Sequence, residues 1–403
     1  MRFAAEEQRV KVTGRTIFRD GIRYLGYTGT SISFRFNGKT AKAKLLSDAS
    51  THSKKDYAWV AVYVKEEKDG DVSYGALCDD KPYKRFCLDK DAAEYVLYDE
   101  AEEKTVTITL IKYSEAEYAA CGVEWIETDS DSVLEPPLPK KLKIEMVGDS
   151  ITCGYGNEGD VDEAEHDTSE ENPMKAYALL TATHLDADVN VVAWNGKGVI
   201  TAYIGDDAPK VKDAGWLVPM LYEYVDAGCE RDYLHTPASE WEKWDNSLFV
   251  PDLITVYLGT NDASYTDNDN ARNQEFIDGY VKFIDTIKSK NPDIPILCML
   301  GTMDKRLCKS VSDAVKIVNE KHSEQNVYYL DLPPQEDADG LGINWHPTEA
   351  THRKAASLVE NRIKDILSGS GKSDVGCRGT RVSDPFATGR QREDDGPVGG
   401  AVG

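Results

Sequence analysis

The sequence predicts two domains, an N-terminal all-β sandwich of the jelly-roll type and a C-terminal α/β/α structure layered around a parallel sheet. Three observations predict it. A chain of 403 residues is too long for one small core. Up to about residue 128, apolar residues alternate with polar ones at the period of a strand, with hardly a helical stretch among them. Beyond residue 142, short apolar runs alternate with helical patterns, the grammar of βαβ units.

In residues 31–45, "SISFRFNGKTAKAKL", Ile32, Phe34 and Phe36 alternate with serine and arginine, and Asn37-Gly38 predicts a turn. "YAWVAVYV" (57–64) and "TVTITLIKY" (105–113) repeat the alternation. Short strands separated by turn signals make residues 1–131 a β-sandwich domain. Residues 132–141, "SVLEPPLPKK", carry three prolines and predict a semi-rigid linker. In residues 142–367, apolar runs at 142–148, 189–194, 252–259, 294–301 and 327–332 predict strands. Patterns at 172–187, 273–290, 310–322 and 348–367 predict the covering helices. Residues 368–403 lack an apolar period and their charges cancel, so this tail is expected to be disordered.

A net charge of −24 argues against nucleic acid or an anionic membrane as partner, since either would be repelled. It suits neutral small molecules or polymers. No apolar run approaches the ~20 residues of a membrane span. The opening "MRFAAEEQRVKV" has acids where an export signal needs an apolar stretch. The eight cysteines (78, 87, 121, 153, 229, 298, 308 and 377) form no C-x-x-C pair, and several lie in apolar runs. Buried free thiols and a cytoplasmic location are the expectation. Nothing in the sequence speaks to oligomeric state.

Four short segments follow predicted strands, where the active sites of parallel sheets gather. "GDSIT" (148–152) sets Ser150 at the rim of the sheet; its fifth residue is Thr152, so it is not the G-x-S-x-G elbow. "WNGKG" (194–198) offers backbone N–H groups at Gly196, with Gly198 in reserve. "LGTND" (258–262) offers the neutral amide of Asn261, and "NWHPT" (344–348) places His346 at the same rim. Together they supply a nucleophile (Ser150), a base (His346) and three oxyanion donors: the Ser150 N–H, the Gly196 N–H and the Asn261 amide. That is the parts list for acyl transfer.

The order and wording of these segments resemble the SGNH (GDSL-like) hydrolases. "GDSITCGYGNEG", "KWDNSLFVPDLITVYLGTND" and the preceding β-domain resemble, more narrowly, carbohydrate esterase family 2. The resemblance covers nearly the whole chain up to about Leu367. It implies a jelly roll joined to an SGNH hydrolase domain, and removal of acetyl groups from plant polysaccharides of the xylan or mannan type without a cofactor. Many SGNH enzymes carry an aspartate two or three residues before the histidine, but Ile343 and Asn344 stand there. The resemblance implies a Ser-His dyad whose histidine is held by backbone carbonyls; Asn344 is the other candidate for orienting it.

Trp345, Trp194 and Tyr155 flank the three motifs and are the expected sugar-stacking residues. The aromatic-rich stretch 213–248 is expected to wall the cleft. "TDNDN" (266–270) lacks the glycine and terminal glutamate of a calcium loop, and no H-E-x-x-H occurs, so no metal is expected. The alternatives are a lipase or thioesterase acting on other acyl esters, or a carbohydrate-binding protein without turnover.

Overall fold

The computed structural model describes residues 1–67, 81–163, 165–205 and 208–369. The expected disorder of the tail beyond Gly369, and Cys78 and Cys377, lie outside these residues. The N-terminal strands are β1 (Arg2–Phe3), β2 (Lys11–Thr13), β3 (Thr16–Arg19), β4 (Ile22–Leu25) and β5 (Ser31–Leu46). They continue with β6 (Trp59–Glu66), β7 (Lys84–Cys87), β8 (Ala92–Lys112) and β9 (Cys121–Thr128). All pair antiparallel in one nine-stranded sheet, whose main path runs β3-β4-β9-β5-β8-β6-β7. β5 and β8 are long enough for the sheet to curl over a core of Phe34, Phe36, Ile108, Leu110 and Ile126.

The turn expected at Asn37-Gly38 does not form. β5 runs straight through it with a register shift between Gly38 and Thr40. The reason is distant in sequence: the Asp129 carboxylate accepts the N–H groups of Lys39 and Thr40 at 3.0–3.2 Å. A Cβ on Gly38 would come within 2.3 Å of that carboxylate, so the glycine marks a pinned bulge.

The second sheet contains β10 (Leu142–Gly148), β11 (Ala187–Ala193), β12 (Leu253–Tyr257), β13 (Ile296–Leu300) and β14 (Val327–Asp331), all parallel, in the order β11-β10-β12-β13-β14. Its helices are α1 (Ser150–Cys153), α2 (Tyr177–His184), α3 (Val218–Leu221), α4 (Thr260–Thr266), α5 (Asn270–Lys290), α6 (Cys308–Lys321) and α7 (Glu349–Leu367). α2 packs with α7, and α5 with α6. From β10 the chain steps one way to β11; from β12 onward it steps the other way. Right-handed crossovers therefore place the two helix pairs on opposite faces, and open a crevice at the carboxyl ends of β10 and β12.

A buried network joins the two sheets. Arg15 donates to Glu145 Oε1 at 3.0 Å and to the carbonyls of Tyr222 and Tyr224, while the Tyr222 hydroxyl donates to Glu145 Oε2 at 2.6 Å. Buried pairs of this kind define registry more than they add stability. The Pro-rich segment is tied down too: Leu134 N–H donates to the Arg35 carbonyl, and Lys140 N–H to Asp188. The six described cysteines are unpaired. Among the described residues, no helix is long and apolar enough to cross a membrane.

Candidate active site

β10 ends at Gly148, and Asp149 caps the one-turn helix α1 by accepting the Ile151 N–H at 3.1 Å. Ser150 therefore begins a helix at a strand end. His346 reaches it from the loop before α7. Its Nε2 lies 2.8 Å from Ser150 Oγ, and its Nδ1 lies 3.2 Å from the Ile343 carbonyl oxygen. That same oxygen accepts the His346 N–H at 3.1 Å. An acceptor on Nδ1–H selects the tautomer whose Nε2 is free to take a proton. Burial lowers the His346 pKa to about 4, against a smaller upward pull from the carbonyls of Ile343 and Asn344. The imidazole is neutral at neutral pH.

The histidine loop is bent sharply to do this. Asn344 and Trp345 both have left-handed backbones, with φ of 51° and 60°. Two such non-glycine residues in succession cost on the order of 1–2 kcal/mol each. The loop is stapled to the loop that follows Ser150, for Ile343 N–H donates to the Gly156 carbonyl at 3.2 Å. A Cβ on Gly156 would lie 2.0 Å from the Ile343 side chain, which explains a glycine there.

Gly196 adopts φ +67°, and a Cβ on it would meet nothing within 4 Å, so the residue opens on free space. Gly198 differs: its Cβ would lie 2.4 Å from both Asp262 Oδ2 and the Thr201 carbonyl. The Asp262 carboxylate accepts the N–H groups of Val199, Ile200 and Thr201 at 2.8–3.2 Å, so Gly198 serves packing of the loop. Burial pushes the Asp262 carboxyl up to about 6, partly offset by those three N–H groups. Asn261, in the first turn of α4, donates from Nδ2 to the Lys197 carbonyl at 3.1 Å and lies 3.5 Å from Asp149 Oδ2. Among the described residues, no carbonyl or carboxylate takes the N–H of Ser150 or Gly196. Nor is any group of three or more His, Cys, Asp and Glu disposed to hold a metal ion.

Two expected sugar contacts are corrected. Trp194 is 1% exposed, packed against Trp216 with Gly228 beneath its ring, and offers no face to a ligand. Tyr155 is buried between two imidazoles, with ring centroids 4.0 Å from His166 and 4.5 Å from His346. Both follow from their position beside strand ends, where the crossing loops cover them. Trp345 is 62% exposed, next to the base. The stretch 213–248 packs Trp216 against Trp194 and Trp241, with Arg231 stacked 3.5 Å over Trp216.

Three neighbours of the site escaped the sequence reading. His166 stacks on Tyr155, and its ring in turn lies 5.4 Å from that of Tyr118. Tyr203 is 54% exposed, and its N–H donates to the Gly196 carbonyl at 2.8 Å. Glu115, from the N-terminal domain, accepts the Asn195 N–H at 2.7 Å. Only Tyr203 had a local signal, an aromatic residue five positions after the glycine motif.

Residues 144–359 match the GDSL-like Lipase/Acylhydrolase family, and residues 12–137 match the Carbohydrate esterase 2 N-terminal family. The cellulase/esterase CelE of Acetivibrio thermocellus is 30% identical over 303 residues, which is 74% of this chain; the chain spans about a third (34%) of that longer protein. An acetylxylan esterase/glucomannan deacetylase of Cellvibrio japonicus is 26% identical over 90% of both chains. A family two carbohydrate esterase from Clostridium thermocellum, solved in complex with cellohexaose, superposes with a TM-score of 0.74 at 27% identity, covering 89% of this chain and 99% of its own. The Ser150–His346 pair at the strand ends and the β-domain before it thus have one common explanation: this chain belongs to the GDSL-like lipase/acylhydrolase family of serine ester hydrolases and resembles the family 2 carbohydrate esterases.

Proposed function

We propose that this protein is a carbohydrate O-acetyl esterase that deacetylates plant polysaccharides or oligosaccharides of the xylan or mannan type. The observation that carries the chemistry is the 2.8 Å contact between His346 Nε2 and Ser150 Oγ in a buried site with a neutral imidazole. His346 Nε2 takes the hydroxyl proton as Oγ attacks the acetyl carbonyl. The oxyanion is received by the Ser150 N–H, the Gly196 N–H and the second Nδ2 hydrogen of Asn261, which Asp149 holds only loosely. The tetrahedral adduct collapses to acetyl-Ser150 as imidazolium protonates the sugar oxygen. Water, deprotonated by the same Nε2, then releases acetate and restores the hydroxyl. The dyad needs no third acid, because the Ile343 carbonyl fixes the tautomer.

A sugar leaving group is favoured over an aliphatic chain by what surrounds the pair. Trp345 and Tyr203 are exposed aromatic faces, and Glu117, Asn195, Lys197 and Asn344 add polar groups. In the same reading, the N-terminal sheet is a jelly-roll sandwich ending near residue 131, with the hydrolase domain occupying 142–367. Acetate release from acetylated xylo- and manno-oligosaccharides, beside a long-chain ester, tests this reading. Release from the sugars that vanishes in Ser150→Ala supports it. Hydrolysis of the long-chain ester alone would make the protein a lipase, and glycan binding without turnover would make it a binding protein.

A further inference from the structure

The turn between β8 and β9 belongs to the N-terminal sheet, yet it delivers a fully buried carboxyl, Glu115, to the back of the catalytic loops. Glu115 Oε2 accepts the N–H of Asn195 at 2.7 Å. Asn195 directly precedes Gly196, whose N–H is one of the oxyanion donors in the reading above. The Cys153 thiol, on the last residue of the helix that begins with Ser150, feels the charge of the same carboxyl, which helps to hold the thiol protonated. One side chain therefore binds the segment of Gly196 and acts electrostatically on the helix of Ser150.

Its backbone is held at several points. The Glu115 N–H donates to Glu171 Oε2 at 2.8 Å, and the buried Lys112 ammonium donates to the carbonyls of Ser114 and Glu115 at 2.6 and 2.9 Å. The turn is further tied to the nucleophile helix by Thr28, whose hydroxyl donates to the Tyr113 carbonyl at 2.9 Å and lies 3.4 Å from that of Cys153. A group so fixed can fix what it binds.

We infer that Glu115 is a positioning residue for the oxyanion hole: the N-terminal domain holds the peptide at Asn195, and thereby aims the Gly196 N–H, across the domain boundary. The inference rests on the assignment of Gly196 as an oxyanion donor. Gly196 has the reason to need such help. Its left-handed backbone opens on free space on the Cβ side, and the Tyr203 N–H holds only its carbonyl, not its own N–H. A shift of about 1 Å in a catalytic donor can cost of the order of 100-fold in rate. Burial and the neighbouring Glu171 push the Glu115 carboxyl well above the usual carboxylate range. Glutamine is the replacement closest in shape, with the same length and an acceptor for Asn195.

The test compares Glu115→Gln, Glu115→Ala and Glu115→Asp in the full chain. A small activated acetate ester serves as substrate, because it needs the dyad and oxyanion hole but no carbohydrate contact. Active enzyme is counted by end-point titration of Ser150 with a fluorophosphonate, so misfolded molecules drop out of kcat. Glu115→Ala is expected to lower kcat per titrated site about tenfold or more, with KM within about twofold. The Kd of an alkyl boronate, a mimic of the tetrahedral oxyanion, should weaken by the same factor. Glu115→Gln should restore both to within about threefold. If Glu115→Ala does not fold, Glu115→Asp, whose carboxyl is withdrawn by one methylene, should show the same paired loss. Titrated Ala or Asp enzyme with wild-type kcat and boronate affinity overturns the inference, as does a Gln variant as impaired as Ala. A wild-type protein that titrates and turns over the small ester but ignores acetylated sugars would instead overturn the carbohydrate reading and leave Glu115 in place.

Discussion

The Nδ1 of His346 meets the carbonyl oxygen of Ile343 at 3.2 Å, so backbone three residues upstream orients the ring, and among the described residues no carboxylate meets it. The carbonyl holds the Nδ1 proton and so fixes the tautomer, while burial outweighs the upward pull of the Ile343 and Asn344 carbonyls on the ring.

The first prediction concerns pH. A base must be neutral to accept the Ser150 proton, and His346 stays neutral down to about pH 4. The acid limb of kcat/KM should therefore lie near pH 4–5, with a plateau through neutrality, where an ordinary histidine would give a limb near 6.5. The folded pKa is depressed, so this group's contribution to stability is present above about pH 6.5 and is lost as the pH falls toward 4. A kcat/KM limb at 6.5 would contradict the buried, carbonyl-held ring.

Asn344→Ala should separate the two candidates for orienting His346. The Asn344 amide points to the Tyr155 hydroxyl, donating to it at 3.1 Å. We expect kcat within a few-fold of wild type, together with a loss of about 1 kcal/mol in denaturant-measured stability, because alanine fits φ +51° poorly. A fall to the level of His346→Ala would make Asn344 a third catalytic member.

Asn261→Ala removes a proposed oxyanion donor and should cost roughly 10²–10³ in kcat, with little change in KM. Unchanged kcat would remove Asn261 from the mechanism.

Asp262→Ala acts through structure. Three backbone N–H groups lose their buried acceptor, which should lower stability by about 2–4 kcal/mol. Urea unfolding of the variant measures this; a change under 0.5 kcal/mol would show that the loop finds other partners.

Trp345→Ala should raise KM for acetylated oligosaccharides about fivefold, the equivalent of one stacking contact of ~1 kcal/mol. Turnover of a small acetate ester should stay within twofold. Equal loss on both substrates would place Trp345 in the support of His346.

The order of the site was legible because each motif sits at the end of a parallel strand, where topology alone gathers residues. Ser150 and Asn261 come together since the crevice opens between β10 and β12. What escaped was whatever a distant residue decides. Asn37-Gly38 has the local chemistry of a turn, but Asp129 makes it a bulge. Trp194 and Tyr155 read as exposed platforms until Trp216 and His166, on the loops that follow them, cover them. Glu115 lies 80 positions from Asn195, in the other domain, and no spacing rule connects them.

The central claim is that Ser150 becomes acetylated with His346 as its base, and acid-quenched mass spectrometry tests it most directly. Enzyme mixed with an acetylated oligosaccharide and quenched within one turnover should carry an acetyl group on the peptide containing Ser150. The Ser150→Ala protein should carry none and release no acetate. Steady acetate release from Ser150→Ala, or turnover by wild type with no acetyl-enzyme on any timescale, would contradict the account.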